Sequence, residues 1–282
     1  MTAVVETVPV RARAGVMART WRFVRRHVLD AYALLALAYL FLPIAVVILF
    51  SFNAPLGRFN YTWQGFTLQN WLHPFDYPGL GPALQVSIEI AFLSAIVATV
   101  LGTLIALALV RYKFRGSGAT NLLIFIPMTT PEIVMGASLL TLFLSWKVPQ
   151  GFGTILIAHI MFTISYVVVT VRARLVGFDR HLEEAAMDLG ANELVTFFRV
   201  TLPLIMPGIL AAGLLAFALS IDDFVITYFN AGTTTTFPLF VWGAARVAVP
   251  PQINVIGTSI FLVAIALMLM NVGYQYRRGR SS

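Results

Sequence analysis

The stretch that decides the fold is Glu183-Glu184-Ala185-Ala186-Met187-Asp188-Leu189-Gly190, a polar island that runs on to Leu202-Pro203. Asp179 is suited to cap a helix that starts near residue 181, and Gly190 is suited to end that helix at about residue 189. Asn192 is suited to cap a second helix, and the restriction on residues before proline predicts that this helix stops at Leu202. The stretch therefore predicts a helix-turn-helix outside a bilayer.

Small side chains give this stretch a face that another protein can approach closely. Ala186 and Gly190 lie four residues apart, so they share one helix face that carries almost no side chain. Glu184 lies beside them and supplies a charge for pairing. We interpret the stretch as a docking element, and a solvated amphipathic loop between two membrane spans is the alternative.

The composition excludes a soluble domain. Hydrophobic residues make up 59% of the 282 residues and charged residues 11%, and the mean hydropathy is +0.85, whereas soluble proteins are about half apolar and about one quarter charged. The chain has no cysteine, which removes disulfides and thiolate chemistry. We expect an all-α polytopic membrane protein with six transmembrane helices, because six apolar segments approach the roughly 20 residues that a span needs. These segments are residues 32–50, 84–110, 121–143, 152–171, 207–228 and 253–272.

The positions of Lys and Arg predict the orientation of the chain. If the N-terminus is cytoplasmic, the cytoplasmic segments receive all of the 19 Lys and Arg residues except Arg58, Lys147 and Arg246. The positive-inside rule then puts both termini in the cytoplasm. The run 32–50 is too long for a cleaved export signal, so we expect a retained anchor. The predicted divisions are a basic cytoplasmic segment 1–30, a six-span domain 31–273 with a cytoplasmic loop 172–206, and a basic cytoplasmic tail 274–282.

The spacing of the polar stretch resembles that of a known family. Glu184-Ala185-Ala186, with Gly190 after three residues and Leu202-Pro203 further on, resembles the EAA loop of ABC-importer permeases; Val200 replaces an isoleucine of that pattern. The resemblance implies the type I ABC-importer permease fold. It also implies that the loop lies in a groove on a separate ATP-hydrolysing subunit and couples that subunit to the membrane helices. The coupling residues would be Glu184, Ala185, Ala186, Gly190, Leu202 and Pro203.

The sequence lacks the motifs of an energy-converting or metal-dependent enzyme. Neither Lys113 nor Lys147 follows a glycine, so no G-x-x-x-x-G-K-[ST] loop is present. We therefore expect no cofactor on this chain, with ATP and Mg²⁺ held by the partner ATPase. No H-E-x-x-H helix is present either, and we predict no metal site, no catalytic residue and no enzyme activity. Two rival classes are an intramembrane serine hydrolase that uses Ser138 and His159, and a self-contained ion-coupled carrier, for which no inverted repeat is visible.

Acidic residues inside the predicted spans are the candidates for contact with a substrate. A carboxylate in hydrocarbon is costly unless it faces a cavity or a partner or is protonated. Glu132 follows Pro127 and Pro131, which leave helix carbonyls free at a depth where only protein or a wet cavity can satisfy them. We interpret Glu89 as an interfacial group and the other three acids as an outer vestibule for a cation. The four acids are Glu89, Glu132, Asp222 and Asp223.

The two adjacent aspartates are predicted to differ. Neighbours on a helix point about 100° apart, so both cannot face one cavity equally. Asp223 is the better candidate for a translocation path, assisted by Tyr228, because aromatic rings attract ammonium groups. A helix-packing seam is the alternative for its face. That face also carries Ala212, Ala216, Ser220 and Thr227.

The segment around the aspartates extends the resemblance. Residues 219–226, the Gly232…Phe237-Pro238-Leu239 stretch and the run 131–136 resemble spermidine/putrescine importer permeases, most closely the second permease subunit. This implies inward transport of a polyamine across a bacterial plasma (inner) membrane. It also implies an ATPase homodimer, a second homologous permease and an extracytoplasmic solute-binding protein as partners. Ferric iron, thiamine or an opine is the alternative substrate. The net charge of +7 is an orientation signal, helped by membrane lipid, and requires no nucleic acid.

Overall fold

The computed structural model describes residues 16–112 and 114–278, with side chains for residues 27–112, 114–266, 269 and 270. Residues 1–15 of the predicted basic segment and 279–282 of the predicted tail lie outside the described residues. The described chain contains α-helices, one π turn at Phe197–Thr201 and an isolated β-bridge between Asn53 and Phe66. The helices are α1 (Val16–Phe50), α2 (Gln69–Leu72), α3 (Leu80–Arg111), α4 (Ser117–Thr129), α5 (Glu132–Ser145), α6 (Phe152–Val176), α7 (His181–Asp188), α8 (Glu193–Thr196), α9 (Leu202–Ile221), α10 (Val225–Asn230), α11 (Phe237–Val247) and α12 (Pro251–Arg278).

Long apolar helices account for most of the predicted spans. Four described segments are long and apolar enough to cross a membrane, namely His27–Phe50, Leu80–Arg111, Phe152–Val176 and Glu193–Ile221. The third predicted span consists of α4 and α5, which are bent by 107° and bring the total to five if they form one span. The sixth predicted span lies in α12, of which Pro251–Ala266 is apolar but shorter than a span. The all-α polytopic class is confirmed, and the number of six spans is not.

A proline explains the bend between α4 and α5. Thr130 has an extended backbone with ψ of 130°, because the ring of Pro131 disfavours a helical conformation in the residue before it. Pro127 instead lies inside α4. The bend puts Glu132 in the first turn of α5, where the positive end of the helix dipole favours a carboxylate.

The predicted stop before Pro203 is wrong. The segment from α8 through the π turn to α9 is helical throughout. The N–H of Leu202 bonds to the carbonyl of Phe197, five residues earlier, so the hydrogen-bond register changes just before the proline, which has no N–H to donate. The predicted single helix 207–228 is also wrong, because α9 ends at Ile221 and α10 begins only at Val225.

Packing divides the chain into two compact units, one with α1, α2 and α12 and the other with α3 to α11. In the second unit α3, α6 and α9 pack along one another. A Cβ atom at Gly102 would lie 2.6 Å from Cγ1 of Val167, so the glycine permits the close approach of α3 and α6. The predicted divisions 1–30, 31–273 and 274–282 stay a prediction. The core holds Ala95, Ala98, Ala106, Leu107, Val167, Val168, Val171, Leu175, Ile205, Ala212 and Ala216.

An asparagine cluster orders the chain after α1. Asn53 Nδ2 donates to Asn60 Oδ1 at 2.6 Å and to the carbonyl of Thr62 at 2.8 Å. Asn70 Nδ2 donates to the carbonyls of Ser51 and Asn53 at 3.0 and 2.8 Å. The three asparagines are buried, and amides satisfied in this way fix the shape of a loop. The loop between the first two predicted spans is therefore a folded element.

Candidate functional site

The first helix of the predicted docking loop ends as expected. Helix α7 ends within one residue of the prediction, and Gly190 follows with a left-handed φ of +90°. The N–H groups of Gly190 and Ala191 bond to the carbonyls of Met187 and Ala186 at 2.9 and 3.1 Å. This pair of bonds is a Schellman motif, which satisfies carbonyls that the helix end leaves free.

Polar side chains begin both helices of the loop. Asn192 Oδ1 accepts the N–H of Val195 at 2.8 Å and caps α8, as predicted. The N-cap of α7 is Arg180 and not Asp179, although Asp179 Oδ1 accepts the N–H of His181 at 3.0 Å and lies 2.7 Å from its ring Nδ1. The side-chain hydrogen bond lowers the pKa of Asp179 and raises the pKa of His181. The pair thus favours the folded loop between these two pKa values and weakens as the pH leaves that interval on either side.

The docking loop exposes both its predicted coupling residues and an apolar surface. Glu184, Ala185, Gly190 and Pro203 are exposed, and Ala186 and Leu202 are half-buried. A Cβ atom at Gly190 would meet no atom within 4 Å. An exposed apolar surface on a loop outside the spans is typical of a site for another protein. Its large side chains are Leu182, Met187 and Leu189, and the exposed Leu194 and Phe198 continue it into the apolar segment Glu193–Ile221.

Glu183 was not among the predicted coupling residues. Its carboxylate accepts hydrogen bonds from the guanidinium of Arg111, at the end of α3, and from the hydroxyl of Thr201, at the end of the π turn. Its side chain is 15% exposed, whereas Glu184 beside it is exposed. Two adjacent acids on α7 therefore face opposite environments. The sequence feature that could have indicated this role of Glu183 is Arg111, the basic residue that follows the second apolar segment.

Asp223 belongs to a buried polar cluster. Its Oδ2 lies 3.3 Å from His159 Nε2 and accepts the hydroxyl and the N–H of Thr227 at 2.9 and 2.8 Å. His159 Nδ1 lies 2.7 Å from Ser220 Oγ, which accepts the hydroxyl of Ser94 at 2.9 Å. The cluster joins α3, α6, α9 and α10. The carboxylate of Asp223 thus satisfies donors inside the chain, and its bond to the N–H of Thr227 supports the first turn of α10.

The buried cluster does not support the hydrolase alternative. His159 bonds to Ser220 and Thr227 and not to Ser138. Ser220, His159 and Asp223 have the residue types of a catalytic triad, but they are 4%, 2% and 8% exposed. A nucleophilic hydroxyl must reach its substrate, and this one is enclosed by packed helices. The geometry is that of a structural polar cluster.

Both aspartates lie in the break between α9 and α10 but in different environments. Asp222 ends α9 and is exposed, whereas Asp223 is buried. Ala212 and Ala216, from the predicted face of Asp223, lie in the core among α3, α6 and α9. The helix face that carries Ala212 and Ala216 is therefore a packing seam, which was the alternative interpretation. The prediction that one continuous helix carries this face and both aspartates is wrong. Glu132 is exposed, as Asp222 is.

An aromatic cluster follows the exposed aspartate. The rings of Phe224, Tyr228 and Trp242 have centroids 5.4 to 5.6 Å apart, and Tyr228 is 50% exposed. The guanidinium carbon of Arg246 lies 3.8 Å from the centroid of the Trp242 ring. The guanidinium already occupies this face of Trp242, so the half-exposed ring of Tyr228 is the one that an organic cation can reach. The sequence pointed to Tyr228 but not to its neighbours Phe224, just before α10, and Trp242, on α11.

Residues 98–276 match the model of a protein family described as the binding-protein-dependent transport system inner membrane component. The chain belongs to this family. It is 37% identical over 243 residues to the spermidine/putrescine transport system permease protein PotC of Haemophilus influenzae, covering 86% of this chain and 94% of that protein. It is 40% identical over 233 residues to PotC of Escherichia coli K12, with coverage of 82% and 88%. It is 39% identical over 235 residues to the putrescine transport system permease protein PotI of the same strain, with coverage of 80% and 83%.

Solved structures confirm the expected ABC-importer permease fold. A chain of a bacterial ABC transporter that imports alginate aligns with a TM-score of 0.64 and 16% identity, covering 94% of this chain and 99% of that chain. An amino acid ABC transporter chain aligns with a TM-score of 0.55 and 16% identity, covering 76% and 99%. The predicted family resemblance is confirmed as well.

Proposed function

We propose that this chain is a transmembrane permease subunit of an ATP-driven importer for polyamines such as putrescine and spermidine. The observation that carries the proposal is its 37 to 40% identity, over at least four fifths of its length, to permeases named for these substrates. Polyamines are cations, and the exposed acids and the aromatic cluster have the chemistry to receive them.

The α7–α8 loop is the proposed contact with the ATPase subunit. Its exposed apolar side chains, the open space at Gly190 and the exposed charge of Glu184 support this role. ATP and Mg²⁺ would bind to that subunit, present as a homodimer, so that this chain has no enzyme activity of its own. The other proposed partners are a second homologous permease and an extracytoplasmic solute-binding protein. The loop and both chain termini are then cytoplasmic, in agreement with the distribution of Lys and Arg.

The proposed substrate path runs past Asp222, Glu132 and Tyr228. These three side chains are exposed, and a facing carboxylate and a ring can together replace the water that an ammonium group loses. Asp223 lies next to the path but uses its carboxylate on His159 and Thr227. We therefore assign it the task of holding the break at which Asp222 is presented.

ATP hydrolysis by the assembled importer tests the proposed substrate. The complex of this chain with its partner proteins is purified and its ATPase rate is measured with the binding protein and each candidate solute. Putrescine or spermidine is expected to stimulate hydrolysis, while thiamine, ferric iron and an opine leave the rate unchanged. Stimulation by one of the latter alone would replace the polyamine assignment, and failure of an ATPase to co-purify would contradict the permease assignment itself.

A further inference from the structure

Three parts of the second unit meet at one carboxylate oxygen. Glu183 Oε1, on α7, accepts from the guanidinium of Arg111 and from the hydroxyl of Thr201. Arg111 Nη2 also lies 3.3 Å from Thr201 Oγ1, which closes the triangle. Arg111 is the last residue of α3, and Thr201 is the last residue of the π turn that leads into α9. The docking helix is thus bonded to two membrane helices at once.

The surroundings make this triangle a firm connection. The side chains of Glu183 and Arg111 are 15% and 30% exposed, and Thr201 is buried. A charged pair that is partly removed from water and completed by a third hydrogen bond is stronger than an exposed surface pair. A second bond between the same elements, from Arg180 Nη2 to the carbonyl of Val110 at 3.0 Å, fixes the start of α7 against the end of α3.

We propose that the Glu183–Arg111–Thr201 triangle is the linkage that transmits movement of the docking helix to α3 and α9. Glu184 faces outward to the partner, and Glu183 faces inward to the spans. One acid of this adjacent pair thus contacts the ATPase subunit, and the other transmits the movement to the membrane helices. The π turn that ends at Thr201 is a local change of helix register between the triangle and α9, and such turns are frequent at functional sites. This inference rests on the proposed function of the loop. Glu183, Arg111 and Thr201 are positioning residues and do not contact substrate.

The test compares transport with ATP hydrolysis in proteoliposomes that contain the whole importer complex. Glu183→Gln keeps the shape of the side chain and removes its charge. We expect the complex to assemble and to hydrolyse ATP, while the solute moved per ATP falls clearly below that of the wild-type complex. Asp30→Asn, which removes one charge from an exposed acid on α1 outside the docking loop, is the control and should keep the wild-type ratio. The exchange Arg111→Glu with Glu183→Arg should restore part of the ratio.

The outcomes separate this inference from the proposed function. An unchanged ratio in Glu183→Gln, or an equal fall in Asp30→Asn, would overturn the linkage. Loss of the ATPase subunit from Glu183→Gln would overturn it as well, because Glu183 would then belong to the docking contact. Should removal of the charge prevent folding, Thr201→Val keeps the buried shape and must still lower the ratio. A wild-type complex without any ATPase subunit would instead contradict the proposed function.

Discussion

Asp222 and Asp223 are neighbours in sequence but lie in opposite environments. Asp223 is 8% exposed and accepts two hydrogen bonds from Thr227 beside the ring of His159. Asp222 is exposed at the end of α9. Sequence reasoning predicted that the two residues differ, since helix neighbours diverge by about 100°. It placed Asp223 on one continuous helix, whereas the chain is broken between α9 and α10, and the contact with His159, far away in sequence, leaves no local pattern.

Replacement of each aspartate by asparagine should separate their roles. Asp222→Asn should raise the polyamine KM for ATPase stimulation on the order of tenfold, as the loss of one charged contact would, with the Tm of the complex unchanged. Asp223→Asn should lower the Tm, because it removes the charge beside His159 and weakens the bonds to Thr227. ATPase titrations and thermal unfolding of the two purified variants measure both effects. If only Asp223→Asn raised the KM, the substrate path would run past Asp223 and not past Asp222.

At the scale of elements, the docking loop agrees best with its prediction. Helix α7, its end at Gly190 and the cap at Asn192 all follow from local hydrogen-bonding rules that sequence displays directly. The bend at Pro131 follows a local rule in the same way. The continuous helix through Pro203 does not, because a π turn absorbs the missing N–H and the sequence gives no local signal for such a turn. Prolines in spans therefore predict where a helix can break but not whether it does.

Gly190→Trp tests the docking surface. The indole would extend into open space from α7 and hold a partner away, so the ATPase subunit should be lost from the purified complex. Gly116→Trp is a matched control, since Gly116 also has a left-handed φ, of +99°, and open space around it. Its backbone strain is therefore similar, about 1 to 2 kcal/mol. Loss of the ATPase from both variants, or retention in both, would show that the loop is not the docking element.

Gly102→Ala tests the packing of α3 against α6. The added methyl group would lie within 3 Å of two atoms of Val167, so the substitution should cost about 1 to 3 kcal/mol of stability by overpacking. Gly118→Ala in α4 is the control, because it meets no atom within 4 Å and replaces glycine with a better helix former. Thermal unfolding in detergent should show a lower Tm for the first variant alone. An unchanged Tm would mean that the helices can move apart there without cost.

At the scale of the whole molecule, composition alone predicts the class but not the number of spans. The high hydropathy and six apolar segments identify a polytopic protein, and the described helices give four spans, or five with the bent pair. Hydropathy measures apolar length, and it does not register a bend of 107° inside one apolar run. The family could be predicted because its loop signature is a local spacing of small and acidic residues.

Single cysteines test the proposed orientation, and the chain has no native cysteine to interfere. If the docking loop is cytoplasmic, as proposed, cysteine at the exposed Asn192 should resist an impermeant thiol reagent in intact cells. Cysteine at the exposed positions Gly57 and Thr235 should react. Asn60 in the same loop as Gly57 is unsuitable, because it is buried and hydrogen-bonded to Asn53. Labelling at position 192 from outside would reverse the topology.

Uptake of radiolabelled spermidine and putrescine tests the central claim, that this chain is the permease of a polyamine importer, most directly. Proteoliposomes are prepared with the complete complex, with the complex lacking only this chain, and with the Gly190→Trp variant. The account predicts saturable, ATP-dependent uptake by the complete complex alone, competed by unlabelled polyamine and not by thiamine, ferric iron or an opine. Uptake of equal rate without this chain, or uptake of thiamine, iron or an opine in place of polyamine, would contradict it.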